Sequence, residues 1–96
     1  MNPRPVIAAV QAAPVFFDKA AGLEKALGLI AGAAAGGADL AAFGESWLPG
    51  YPFFVDAAPD ALWWAAAAEY ADNAITVPGP ETDALCAAAL AHDIDV

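Results

Sequence analysis

A glutamate just past a short apolar run is the residue in this sequence best suited to chemistry. Glu45 follows Leu40-Ala41-Ala42-Phe43, which reads as a buried strand, and is flanked by Gly44, Ser46 and Trp47. Leu48-Pro49-Gly50-Tyr51-Pro52 then supplies a stiff turn. In open α/β sheets ligands bind outside the carboxyl ends of the strands, and Glu45 falls at such an end. A carboxylate beside aromatic rings in a dry pocket holds its proton more tightly than in water, which suits a general base or acid. Position alone also allows, and slightly favours, a Glu45 that caps the turn and faces water. Tyr51 has two readings as well, a ring that lines a pocket or one that only packs the turn. Trp47, Phe53 and Phe54 could wall the same pocket or belong to the core.

The other reactive side chains read as structural. Cys86 lies in Ala84-Leu85-Cys86-Ala87-Ala88, on the apolar side of an expected helix, and reads as a packed, protonated thiol. Lys19 and Lys25 belong to an earlier helix and read as solvated surface residues. His92, near the end of its helix, reads as a favourable partner of the helix C-terminus. One His and one Cys make a metal site improbable, so no metal and no cofactor are expected.

The elements that must hold Glu45 follow from pattern. Residues 6–12 form a short Val-, Ile- and Ala-rich run consistent with a buried strand, ended by Pro14. Asp18 is placed to cap a helix from Lys19. In it Leu23, Leu27, Ile30 and Ala34 recur at three- and four-residue steps and predict a stripe facing the sheet. Gly36-Gly37 stops that helix, and residues 40–43 form the second strand. Strand, helix, strand with this crossover predicts a right-handed βαβ unit with adjacent parallel strands. Pro59-Asp60 opens a second helix that ends near Asn73. Pro78-Gly79-Pro80 breaks regular structure, and residues 82–92 form a third helix with Leu85, Cys86, Ala88 and Ala89 on its apolar side. Ile94-Asp95-Val96 reads as the start of another strand.

Bulk properties exclude several classes of function. The 96 residues allow one small domain, and a content of 60% hydrophobic and 16% charged residues is that of a folded chain. A net charge of −9, with Arg4, Lys19 and Lys25 as the cations, repels nucleic acid and anionic membrane surfaces. Gln11 and Pro14 interrupt the apolar stretch after Arg4, so no cleaved signal is expected. No uncharged apolar run reaches the ~18 residues of a membrane span, and the longest, from Ala26 to Ala38, contains four Gly. One Cys allows no internal disulfide, which fits a cytoplasmic location.

Two segments carry a resemblance. Val6-Ile7-Ala8-Ala9-Val10-Gln11-Ala12-Ala13-Pro14 resembles the first strand of the nitrilase, or carbon–nitrogen hydrolase, superfamily. Residues 37–52, with Gly44-Glu45-Ser46-Trp47-Leu48-Pro49-Gly50-Tyr51-Pro52, resemble its second strand and catalytic-glutamate loop. Residues 81–96 are similar to its approach to the third strand. The family most often has Pro before the glutamate, where this chain has Gly44, which loosens the backbone but keeps the carboxylate. Pro49-Gly50-Tyr51-Pro52 resembles the nitrile-hydrolysing branch more than the amidase branches.

The resemblance implies a fold and a reaction. The fold is α/β, the N-terminal part of a nitrilase-like αββα sandwich, with residues 1–96 forming the first portion of a single domain cut before its catalytic lysine and cysteine. The reaction uses a Cys–Glu–Lys triad on a small-molecule nitrile or amide. Glu45 matches the general base and Tyr51 a substrate-lining position; nothing in the chain matches the other two triad members. The complete protein is expected to be a homo-oligomeric nitrilase, with an amidase or a cyanide-hydrolysing enzyme as the alternative. The 96-residue chain alone is expected to be a non-catalytic piece, inactive and prone to associate through unpaired strand edges. A small α/β binding module outside the family would require both motifs to be coincidental.

Overall fold

The order strand, helix, strand is the one found. The computed structural model describes residues 4–96: strand β1 (Ile7–Ala9), helix α1 (Lys19–Ala35), strand β2 (Leu40–Ala42), a 3-10 turn (Phe53–Asp56), helix α2 (Ala61–Asp72) and helix α3 (Pro80–His92). β1 and β2 are parallel, with Ile7 opposite Leu40, Ala8 opposite Ala41 and Ala9 opposite Ala42. The regular strands are shorter than the apolar runs, although Asp39 N donates to the Val6 carbonyl at 2.7 Å and Val10 N to the Ala42 carbonyl at 2.8 Å. On the other edge of β2, Asp95 bridges to Leu40 in parallel sense, with Ala41 N donating to the Asp95 carbonyl at 2.8 Å. Ile94-Asp95-Val96 therefore adds a third parallel chain segment beside β2, as its residue types predicted.

Local chemistry sets the helix ends. The Asp18 side chain accepts from Ala21 N at 3.0 Å, and α1 ends at Gly36 with Gly37 left-handed at φ 90. The Asp60 side chain accepts from Trp63 N at 2.9 Å, and Asn73 closes α2. α3 starts at Pro80, two residues before its expected start. Proline lacks the N–H that a first helical position leaves unpaired and has a helical φ already, so here it begins the helix. Thr82 secures that start, accepting from Gly79 N at 3.0 Å.

α1 and α3 cover one face of the sheet. Ile30, Ala41 and Ile94 are the buried centre, with Ala33, Ala34, Leu85 and Ala88 packed against them. The opposite face is bare: Ile7 is 63% exposed, and Ala9 and Ala42 are exposed. Apolar strands of this kind want cover on both faces.

Three expectations are corrected. The inward line of α1 is Gly22, Ala26 and Ile30, while Leu23 and Leu27 are half-buried at its side. Small residues let the helix approach closely, and a Cβ on Gly22 would lie 2.9 Å from Leu48 Cδ2. Cys86 is exposed, because Leu85 and Ala88 take the inner face of α3 and leave its thiol on a groove shared with Ile94 and Val96. Lys19 is more than a solvated surface residue. Its Nζ lies 3.1 Å from Glu81 Oε1, in a pair that joins the starts of α1 and α3. Lys25 stays exposed and donates to the Ala13 carbonyl at 2.6 Å. Among the described residues no helix is long and apolar enough to cross a membrane.

Candidate active site

Glu45 opens the turn that follows β2. The loop around it is fixed at four points. Ser46, the next residue, is left-handed at φ 54, and its carbonyl accepts from Gly50 N at 2.9 Å. A non-glycine residue held there stores roughly 1–2 kcal/mol of backbone strain, and such strain gathers at functional sites. Trp47 is buried; its indole Nε1–H donates to the Ala12 carbonyl at 3.0 Å and its ring meets Phe43 edge-on at 5.1 Å. Leu48 packs at Gly22 of α1. Gly50 is left-handed at φ 104, directly against the Phe16 ring.

The pinned loop leaves Glu45 itself exposed. The aromatic enclosure expected for its carboxylate is not formed by residues 4–96. Trp47 turns inward instead, and with Ala26, Phe43, Leu48, Leu85 and Val96 it lines an apolar cavity of about 180 Å³ that Glu45 does not line. The cause is the topology: α1 and α3 both lie on one face of the sheet, and no described element stands over Glu45.

Tyr51 is half-exposed, with its ring 5.1 Å from Phe53, whose ring lies 6.0 Å from Phe16. Phe54 turns the other way and packs on Trp63 and Tyr70 at 5.9 and 5.8 Å. The rings named by the sequence thus divide: Tyr51 and Phe53 form an exposed surface beyond Glu45, Trp47 is internal, and Phe54 seats α2. Sequence reasoning missed the part played by Phe16, the Ala12 carbonyl and the left-handed Ser46. The adjacent rings of Phe16-Phe17 are a sequence signal for the first; the other two have none.

The proton affinity of the Glu81 carboxyl is lowered. A backbone amide at the start of α3 holds its carboxyl below the ordinary range, the Lys19 ammonium adds to that, and partial burial opposes both. His92 lies exposed in the last turn of α3. Among the described residues no group of three or more His, Cys, Asp or Glu side chains could hold a metal ion.

The parallel βαβ start, with Glu45 just past its second strand, defines an α/β chain. The carbon-nitrogen hydrolase family model matches residues 6–96, and the chain belongs to that family. Over 86 residues it is 52% identical to Nitrilase 2 of an unknown prokaryotic organism, covering 90% of this chain and 27% of that protein. It is 44% identical to the bromoxynil-specific nitrilase of Klebsiella pneumoniae subsp. ozaenae, covering 91% of this chain and 25% of the relative. It is 42% identical to the aliphatic nitrilase of Rhodococcus rhodochrous, covering 94% and 25%. The chain spans about a quarter of the length of these curated relatives. Its parallel βαβ architecture fits the opening of a nitrilase-fold domain.

Proposed function

We propose that this chain is the N-terminal portion of a single carbon–nitrogen hydrolase domain, and that the complete protein is a nitrilase. It converts a nitrile and two waters to a carboxylic acid and ammonia, with Glu45 as general base. The observation that carries this reading is Glu45 itself, at the start of the turn that follows the carboxyl end of β2, in a loop pinned by Trp47 and Gly50, in a chain similar to several nitrilases.

The chemistry needs a base at that place. A thiol is largely protonated at neutral pH, so Glu45 takes its proton and the thiolate adds to the nitrile carbon. Addition of water and loss of ammonia leave a thioester. Glu45 then takes a proton from a second water, which releases the acid and the thiol. The cysteine, and a lysine that steadies the developing charge, lie beyond Val96. Tyr51 lines the substrate site. The bare face of the sheet and the exposed Leu62 and Trp64 of α2 support burial against further protein, the rest of the domain or a second copy in a homo-oligomer.

Ammonia release from a panel of nitriles and amides tests the reading. The complete protein is expected to turn over nitriles. Glu45→Gln is expected to lower turnover at least about 10²-fold with the fold retained. Residues 1–96 alone are expected to be inactive, since Cys86 lies on α3 in a groove that Glu45 does not line. Full activity in Glu45→Gln would overturn the assignment, and so would turnover by the 96-residue chain that Cys86→Ser removes. Preference for amides would point to the amidase alternative.

A further inference from the structure

Residues 51–74 leave the α1–α3 body as an excursion, and the corner between β1 and α1 grips both of its ends. At the near end the Phe16 ring sits against Gly50, where a Cβ would come within 2.6 Å of its Cδ1, and against Phe53. Phe17, left-handed at φ 56, faces Phe54 at 6.3 Å. At the far end Lys19 N donates to Asn73 Oδ1 at 3.0 Å, and Lys19 Nζ to the Ala74 carbonyl at 3.4 Å. The same Nζ pairs with Glu81 of α3, whose side chain is largely buried. One of the chain's three cations is thus shared between the end of the excursion and the start of α3.

The excursion has little else to hold it. α2 buries no residue, and it packs mainly on the 3-10 turn Phe53–Asp56 within the same excursion. Aromatic contacts make the excursion one unit, from Tyr51 on Phe53 to Phe54 on Trp63 and Tyr70. A unit held at one end by half-exposed rings can pivot there; a second attachment at the other end removes that freedom.

We propose that Lys19 is a positioning residue, which latches the far end of the 51–74 excursion to the α1–α3 body and so fixes Tyr51 at the near end. The consequence for substrate rests on the nitrilase reading; the latch does not. Lys19 touches no reacting group, so its loss acts on binding more than on chemistry. The Lys19 backbone N–H survives substitution, and the side-chain contacts to Ala74 and Glu81 are the part removed.

The test uses the complete protein, with Lys19→Met, the double variant Lys19→Met with Glu81→Gln (which leaves no unpaired carboxylate) and Lys19→Arg. Amide hydrogen exchange of residues 61–73 is expected to quicken in the first two relative to residues 19–35 and 80–92, and to return in Lys19→Arg. KM for a nitrile is expected to rise roughly tenfold with kcat nearly unchanged, and the arginine variant to restore it. A merely structural role would lower the melting temperature without changing KM, and that result would overturn the proposal. Unchanged exchange in residues 61–73 would overturn it directly. If the unmodified protein turns over no nitrile or amide, the nitrilase reading fails, and the exchange experiment still decides the latch.

Discussion

Trp47 donates its indole N–H to the Ala12 carbonyl at 3.0 Å, and so the loop that carries Glu45 is tied to the chain leaving β1. The bond joins the segments that leave the carboxyl ends of two adjacent parallel strands. Trp47 is two residues from Glu45, so its anchor limits how far the carboxylate can wander.

Trp47→Phe tests that anchor. Phenylalanine keeps a ring against Phe43 but has no N–H for the half-buried Ala12 carbonyl. The cost is expected to be about 1–2 kcal/mol, read from urea unfolding of the complete protein. Turnover should fall as well, because the loop carrying Glu45 loosens. Stability and turnover both unchanged would mean that the bond anchors nothing.

Gly50→Ala is expected to destabilise through the backbone. At φ 104 an L-residue with a Cβ is strained whatever the surrounding space, and here the Cβ would also meet the Phe16 ring. Phe16 is 46% exposed and able to swing away, so the steric part relaxes at the expense of its contact with Phe53. Thermal unfolding should register about 1–2 kcal/mol. A neutral result would contradict the left-handed turn.

Ile30→Ala removes the largest fully buried side chain among the described residues, at the junction of α1, β2 and Ile94. A loss of about 2–5 kcal/mol is expected from the lost apolar burial and the space left behind. Leu27→Ala, on the half-buried flank of the same helix, should cost clearly less. Equal losses in denaturant titrations would restore the stripe that the sequence suggested.

Glu81 predicts an acid-side dependence of stability. Its folded proton affinity lies below the ordinary value. The unfolded chain therefore binds this proton more readily, and the stability from Glu81 is fully present above the ordinary carboxylate range. It is lost as pH falls from about 5 through the lowered folded value. Unfolding midpoints measured from neutral to acid pH should show this slope, and Glu81→Gln should flatten part of it. A variant as steep as the unmodified protein would assign the slope to other carboxylates.

What the sequence determined by itself is the set of features governed by neighbouring residues. The Asp18 and Asp60 caps, the Gly36-Gly37 stop and the Asn73 end are local hydrogen-bonding and dihedral preferences, and α1 and α2 follow from them. The parallel pairing of β1 and β2 follows from a connection long enough to carry a helix back across the sheet. The place of Glu45 past β2 needed nothing more. The tertiary structure alone decided which sides of those elements meet. α1 and α3 are so rich in Ala that the sides marked by their few larger residues compete with faces of small ones, so packing chose Gly22, Ala26 and Ile30 over Leu23 and Leu27, and left Cys86 outside. Packing also chose the partners of Lys19, because a lysine carries no local signal for a carboxylate on a distant helix. The exposure of Glu45 was decided in the same way: a pocket is made by the elements that stand over a residue, and α1 and α3 both lie on one face of the sheet.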